Sequence, residues 1–297
     1  MKILNFGSLN LDYTYEVEHI VREGETIDSL GLTCYPGGKG LNQSIALARA
    51  GAQIWHAGLI GPDGEELANL LLAEGINCTY IKRVAERTGN ALIQVDKNGK
   101  NSIVLYGGAN KKNSRAFCDE VLAGFEKGDM ILLQNEMCET AYLIEKAWEK
   151  GMYIAFNPSP MKEEVLSYPL DKISLFLLNE HEGAMIAKES SEQNMMDQMY
   201  RQFPNAEIVV TLGEKGSIYK KNSTVLKQEA IQVRAVDTTA AGDTFTGYFL
   251  SEKAKGRPAA ECLLKAAQAS AIAVTKNGAS VSIPMVEEVD RFENGNK

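Results

Sequence analysis

The stretch Met130–Phe156 reads MILLQNEMCETAYLIEKAWEKGMYIAF. Met130–Leu133 is a short apolar run, Glu139–Lys150 carries helical spacing, and after Gly151 the run Tyr153–Phe156 is apolar again. Strand, helix, strand in that order is a βαβ unit, whose two strands lie parallel. The rhythm continues downstream, with strand patterns at Leu175–Leu178 and Ile208–Thr211 and helix patterns at Glu180–Lys188 and Asn194–Gln202. Upstream, Lys2–Phe6 and Gln53–Leu59 read as strands, and Asn42–Ala50, Glu65–Ala73 and Arg115–Phe125 as helices. Ser217–Lys220, after the turn Glu214-Lys215-Gly216, reads as the return strand of an antiparallel hairpin. A last long helix is expected at Ala259–Thr275, followed by a loop and a frayed polar tail. The pattern predicts an α/β protein built on a mostly parallel sheet.

Two segments break this rhythm. Tyr13–Tyr35 contains extended runs at Tyr13–Val17 and Thr26–Tyr35, and Asn90–Leu105 reads as a hairpin turned at Asp96-Lys97-Asn98-Gly99. They are expected to form a small separate sheet, a lid over the site, within a single domain spanning 1–297. Its strand edges invite pairing with a second copy, so a homodimer through the lid is expected.

Composition excludes several classes. With 44% hydrophobic and 24% charged residues the chain is globular, and its net charge of -8 argues against a nucleic-acid or anionic-membrane surface. No apolar run reaches membrane-spanning length, and the N-terminal apolar run is too short for a signal peptide. Five scattered cysteines without a C-x-x-C point to reduced thiols and a cytoplasmic address. None of the three histidines adjoins a nucleophile, which disfavours a Ser-His-Asp hydrolase, and no dinucleotide fingerprint follows a strand.

The chemistry concentrates in glycine-rich turns. Asp237–Gly247 reads DTTAAGDTFTG, between an expected strand end at Gln232–Val236 and a buried helix at Phe245–Ala254. Small residues at a helix start leave amides open to an anion. Asp243 there reads either as an acid complementing the helix dipole or as a general base facing those amides. Gly37-Gly38-Lys39-Gly40-Leu41-Asn42 precedes another helix and fits neither a Walker A loop nor G-x-G-x-x-G. It reads either as a tight turn or as a place where backbone approaches a hydroxylated ligand, with Asn42 as a hydrogen-bonding group. Asn10 and Asp12 are placed at the carboxyl end of the first strand, where open α/β sheets bind ligands.

Gly37-Gly38-x-Gly-x-Asn early and Asp-Thr-Thr-Ala-Ala-Gly-Asp-Thr-Phe-x-Gly late resemble the two signatures of the ribokinase-like (PfkB) carbohydrate kinase family, with its ribokinase branch the nearest. The resemblance covers essentially the whole chain. It implies a three-layer α/β fold with a small β-sheet lid, and ATP-dependent phosphorylation of a primary sugar hydroxyl, ribose first among candidates. It places the sugar on Asn10, Asp12, Gly38, Lys39, Gly40, Asn42 and Glu136, with Asp243 as base and Ala241, Gly242 and Asp243 as the anion hole. It places the nucleotide on Asn179, Glu182, Thr211, Gly213, Lys215, Gly216 and Gly242, with Mg2+ near Glu182. It also implies a monovalent cation, K+, held by Asp237, Thr239, Ala273, Lys276, Gly278 and Ser282; the plain alternative for 278–282 is a surface turn. A kinase of another sugar or a nucleoside, and a non-catalytic sugar sensor, stay open.

Two positions depart from the family pattern: Glu66, where a glycine is usual, and Tyr248, where a small residue is preferred. Other features have simple readings: Met195, Met196 and Met199 as an apolar helix face, Trp55 and Trp148 as core, and Lys111-Lys112 as a solvated pair.

Overall fold

A computed structural model describes residues 1–295. The chain begins with β1 (Ile3–Phe6), β2 (Asn10–Val17), β3 (Gly31–Gly37) and α1 (Lys39–Arg49). There follow β4 (Ile54–Ile60), α2 (Glu65–Ala73), β5 (Asn77–Arg83) and the hairpin β6 (Gly89–Asp96) with β7 (Asn101–Tyr106). The middle third holds α3 (Arg115–Leu122), β8 (Met130–Gln134), α4 (Thr140–Glu149), β9 (Tyr153–Asn157), β10 (Leu175–Asn179), α5 (Glu180–Ala187) and α6 (Glu192–Gln202). The last third holds β11 (Glu207–Thr211), β12 (Ser217–Lys221), β13 (Thr224–Gln228), α7 (Ala241–Ala254), α8 (Ala259–Ala273) and α9 (Val286–Gly295).

Nine strands form one sheet in the order β13-β12-β11-β10-β9-β8-β1-β4-β5. Pairing is parallel from β5 to β11 and antiparallel for β12 and β13. Successive residues of a strand face opposite sides, so each strand feeds two cores. Leu4, Phe6, Ile131, Leu133, Ile154 and Phe156 pack with α3, α4, α5 and α6 on one side. Ile3, Met130, Leu132, Ala155 and Leu177 pack with α1, α2, α7 and α8 on the other. These are the three layers the family resemblance implies, around the parallel sheet the βαβ rhythm predicts.

The chain runs outward from β1 in both directions, through β4 and β5 on one side and through β8 on the other. The β1/β8 boundary is therefore a topological switch point, and the crevice beyond its carboxyl ends is where such sheets bind ligands. Above it lies the second sheet, β3-β2-β6-β7. Its hairpin turn is closed by Asp96, whose Oδ1 accepts from the amides of Asn98 and Lys100 at 2.8 and 2.9 Å.

Several expectations are corrected. Gln232–Val236 is not a strand; the amides of Val236 and Asp237 instead bond the Val274 carbonyl at the end of α8. The polar tail is helix α9, anchored by the fully buried Val289. Strands β5 and β13 were not foreseen. Trp148 is 55% exposed, with the Lys172 ammonium 4.6 Å above its ring, so it is no core residue. Asn10 and Asp12 do not end β1; they open β2, the inner strand of the lid sheet. Neither departure from the family pattern disturbs its helix. Glu66 lies in the first turn of α2, and Tyr248 is fully buried with its hydroxyl donating to the Pro284 carbonyl at 2.8 Å.

Candidate active site

Four neighbouring parallel strands end in polar residues: Gln134 on β8, Asn157 on β9, Asn179 on β10 and Thr211 on β11. Apolar up to that point, each strand changes character where it leaves the core. This polar rim faces the first turn of α7, which Ala240 sets up in the left-handed conformation (φ 60°). A non-glycine residue there is strained, and such strain is held where the surroundings over-determine it. The Ala241 amide is already bonded to the Thr238 carbonyl at 3.2 Å. The next two amides, of Gly242 and Asp243, have no acceptor among the described residues. The free donors of this turn are thus the amides of Gly242 and Asp243, and Ala241 contributes the turn but not a free donor.

Asp243 is buried, and both its oxygens are engaged. Asn42 Nδ2 donates to Oδ2 at 3.1 Å and Gln43 Nε2 donates to Oδ1 at 2.8 Å. The carboxylate lines a cavity of about 460 Å³, with Lys39, Asn157, Asn179, Glu182, Thr211, Gly213 and Gly242. Burial alone would pull the Lys39 ammonium down, but the carboxylates of Asp243, Glu136 and Glu182 outweigh it and hold its pKa above the usual value. A larger hollow of about 820 Å³ lies between α8 and α9, lined by Val233, Ile272, Met285 and Glu288. Lys276 is the one proposed site residue that reaches it.

On the α1 side of Asp243, Asn42 and the turn at 37–40 bring the lid residues Asn10 and Asp12 near Glu136. Gly40 lies so close to β1 that a Cβ there would be 2.3 Å from the Ser8 amide; only glycine lets the start of α1 sit on this loop. Gly37 likewise leaves room for the Asp12 carboxylate, which a Cβ would meet at 1.9 Å. Asn10 is held by Asn110, whose Nδ2 donates to Asn10 Oδ1 at 2.8 Å. Glu136 Oε2 accepts from the Lys39 amide at 2.8 Å and from the Ser8 hydroxyl. Asp12 Oδ1 and Asn42 Oδ1 are buried with no hydrogen-bond partner among the described residues, so both can accept from a bound group. Burial, and then the charge of Glu136, push the Asp12 carboxyl up to about 7.

The other expected residues divide. Asn179 and Glu182 form a reciprocal capping box for α5: Asn179 Oδ1 accepts from the Glu182 amide, and Glu182 Oε2 from the Asn179 amide, at 2.9 and 3.0 Å. Glu182 is therefore fixed in place by the helix it caps. Lys215 is not brought to the cavity; it is exposed and paired with Glu192 at 2.7 Å. Gly216 is likewise absent from the lining, and its φ of 95° and contact with the Gln228 carbonyl make it a turn glycine.

In the cation set, Asp237 Oδ1 accepts from the amide and hydroxyl of Thr239, and Oδ2 from the Gly278 amide at 2.9 Å. Burial raises the Asp237 pKa, but the bonds from Thr239 and Gly278 outweigh it and hold it low. Gly278 lies in the same loop as Ser282, whose hydroxyl donates to the Ala279 carbonyl. The Ala273 carbonyl accepts from the Lys276 amide, and the Lys276 side chain turns away to Glu288 at 2.6 Å. Sequence reasoning missed Ser8, Gln43, Asn110, Gln134 and Asn157. The available signal was Gln134, an amide closing the apolar run Met130–Leu133.

The family described as pfkB family carbohydrate kinase matches residues 1–285. A ribokinase of Haemophilus influenzae is 34% identical over 301 residues, covering 96% of each chain. A ribokinase of Schizosaccharomyces pombe is 32% identical over 98% of this chain and 97% of its own. The structure of Arabidopsis thaliana ribokinase complexed with ribose and ATP superposes with a TM-score of 0.85 at 28% identity, over 98% of this chain and 97% of that one.

Proposed function

Since the chain belongs to the pfkB family of carbohydrate kinases and is an ATP-dependent sugar kinase, we propose that it phosphorylates ribose at the 5-hydroxyl. The observation that carries this reading is the position of Asp243. It stands between a pocket with unpartnered hydroxyl-binding oxygens and a cavity headed by free helix amides.

The sugar lies against Asn10, Asp12, Asn42 and Glu136, with Gly38, Lys39 and Gly40 forming the wall. Asn10 hydrogen-bonds as a neutral amide, and the ionised carboxylates accept from sugar hydroxyls. Asp243 takes the proton of the attacking hydroxyl, the oxygen forms a bond to the γ-phosphorus of ATP, and the bond to the ADP oxygen breaks. The amides of Gly242 and Asp243 face the charge that develops on the transferred group, and Lys39 adds a positive charge beside it. Asn179, Glu182, Thr211 and Gly213 line the nucleotide side of the cavity.

Mg2+ supplies charge neutralisation to the phosphates when bound. The described residues gather no set of three acidic, histidine or cysteine side chains as a cage. Phosphates and water with Glu182 nearby therefore suit this ion. For K+, the two loops that Asp237 ties together supply carboxylate, hydroxyl and carbonyl oxygens, the donor chemistry a hard monovalent cation takes. We also propose a homodimer through the lid sheet and a cytoplasmic location. The first is supported by exposed apolar residues on β3 and β7, the second by five free cysteines.

A coupled assay with ATP and a panel of pentoses, hexoses and nucleosides tests the substrate. Ribose is expected to give the highest kcat/KM; a nucleoside or hexose exceeding it tenfold would replace ribose as the assignment.

A further inference from the structure

Gln43 is the second residue on the carboxylate of Asp243, and it is not held by local helix geometry. Its Nε2 donates to Asp243 Oδ1 at 2.8 Å and to Asn157 Oδ1 at 3.1 Å. Its Oε1 accepts from Gln134 Nε2 at 2.7 Å. Gln134 Nε2 also donates to Asn5 Oδ1 at 2.8 Å, and Asn5 Nδ2 donates onward to the Gly40 carbonyl and the Ser44 hydroxyl, both at 2.8 Å. Gln43, Gln134 and Asn5 are each at most 1% exposed. All the amide donors and acceptors of this run are paired except Gln134 Oε1, and the pairing on three elements fixes the orientation of Gln43. The chain of donors ends on the carboxylate that needs to be aimed.

We propose that Gln43 is a positioning residue for the reaction, locked by Gln134 and Asn5, which orients the Asp243 carboxylate. This rests on the reading of Asp243 as the base. The Gln43 amide cannot take a proton from the sugar; it acts by holding Oδ1, so that the remaining lone pairs of the carboxylate face the hydroxyl. Lys39 on α1 interacts with the charges of Asp243, Glu136 and Glu182, but the donor to Oδ1 is Gln43. Removing the Gln43 donor therefore frees Oδ1 to turn away from that direction.

The test is kcat and ribose KM at saturating ATP for the wild type and for Gln43→Met, Gln43→Glu and Asp243→Asn. Gln43→Met keeps length and removes both polar functions; Gln43→Glu keeps the acceptor for Gln134 and removes the donor to Oδ1. Loss of one hydrogen bond to a buried charge corresponds to roughly 10–100-fold. Gln43→Met is expected to lower kcat by that factor, with ribose KM changed less than about threefold. Gln43→Glu is expected to lower kcat at least as far. Should Gln43→Met not fold, Gln43→Glu carries the test, since it has the same shape. A normal kcat in a folded Gln43 variant, with Asp243→Asn inactive, would overturn the positioning role alone. Full turnover in Asp243→Asn would overturn the base itself.

Discussion

Gly247 of α7 lies against Ala46 of α1 so closely that a Cβ on the glycine would sit 2.3 Å from the Ala46 Cβ. One helical turn earlier on each helix stand Asn42 and Asp243, hydrogen-bonded to each other. The small-residue contact thus sets the distance between Asp243, the proposed base, and Asn42. Gly247→Ala is expected to push the helices apart, costing about 1–3 kcal/mol of stability and lowering kcat more than the loss of folded protein explains. Thermal unfolding and the turnover of the folded fraction separate the two effects.

Asp243→Asn keeps the size of the side chain and its contact with Asn42 but removes the proton acceptor. Turnover is expected to fall on the order of a hundredfold or more, with ribose binding by calorimetry within a few-fold of the wild type. Wild-type turnover in this variant would remove the base.

The Asp12 carboxyl, raised to about 7 by burial and Glu136, makes sugar affinity depend on pH. Below that pH it is protonated in the empty enzyme and loses one acceptor, so ribose KM is expected to rise as pH falls from 8 to 6. Asp12→Asn binds more weakly and loses this slope. Stability runs the other way. The folded pKa lies above the unfolded one, so wild-type stability declines as pH rises from about 4 to about 7 and then levels. Asp12→Asn should therefore gain melting temperature over the wild type at pH 8 and little at pH 4.

If K+ occupies the loops joined by Asp237, the rate rises with K+ and more weakly with Na+, and Asp237→Asn flattens the response. Equal rates in K+, Na+ and cation-free buffer would dismiss the site.

Register places Asp12, Ala91, Leu105 and Tyr35 in one cross-strand row of the lid, and Thr14, Ile93, Ile103 and Thr33 in the next row on the same face. Leu105 and Ile103 are 54% and 51% exposed. Ile103→Asp is expected to halve the mass measured by light scattering. An unchanged mass would move the dimer contact elsewhere, and a monomeric wild type would end it.

What could be read from the chain alone follows from where the signal is strong. Strands such as Met130–Gln134 and Leu175–Asn179 are buried on both faces, so a continuous apolar run announces them. Strand β5, Asn-Cys-Thr-Tyr-Ile-Lys-Arg, is an edge strand with mostly polar residues and gives no such run. Helix α9 hides in the same way, since Val289 is the one buried side chain among residues 286–292. The glycine motifs located both halves of the site because close backbone approach excludes other residues. Gln43 and Asn157 escaped because an amide in an apolar segment carries no charge pattern, and only the tertiary pairing shows its partner. Lys215 is implied by the likeness of Thr211–Gly216 to the family's nucleotide loop, yet the turn carries its side chain outward to Glu192.

The groups proposed for phosphate transfer stand at the ends of β8 to β11 in the main sheet and at the start of α7, whereas two of the proposed sugar anchors, Asn10 and Asp12, belong to a different sheet. Substrate preference and catalytic power therefore have separate addresses. Selection, or an engineer, can recut the lid to admit a new saccharide while leaving the phosphorylating apparatus untouched.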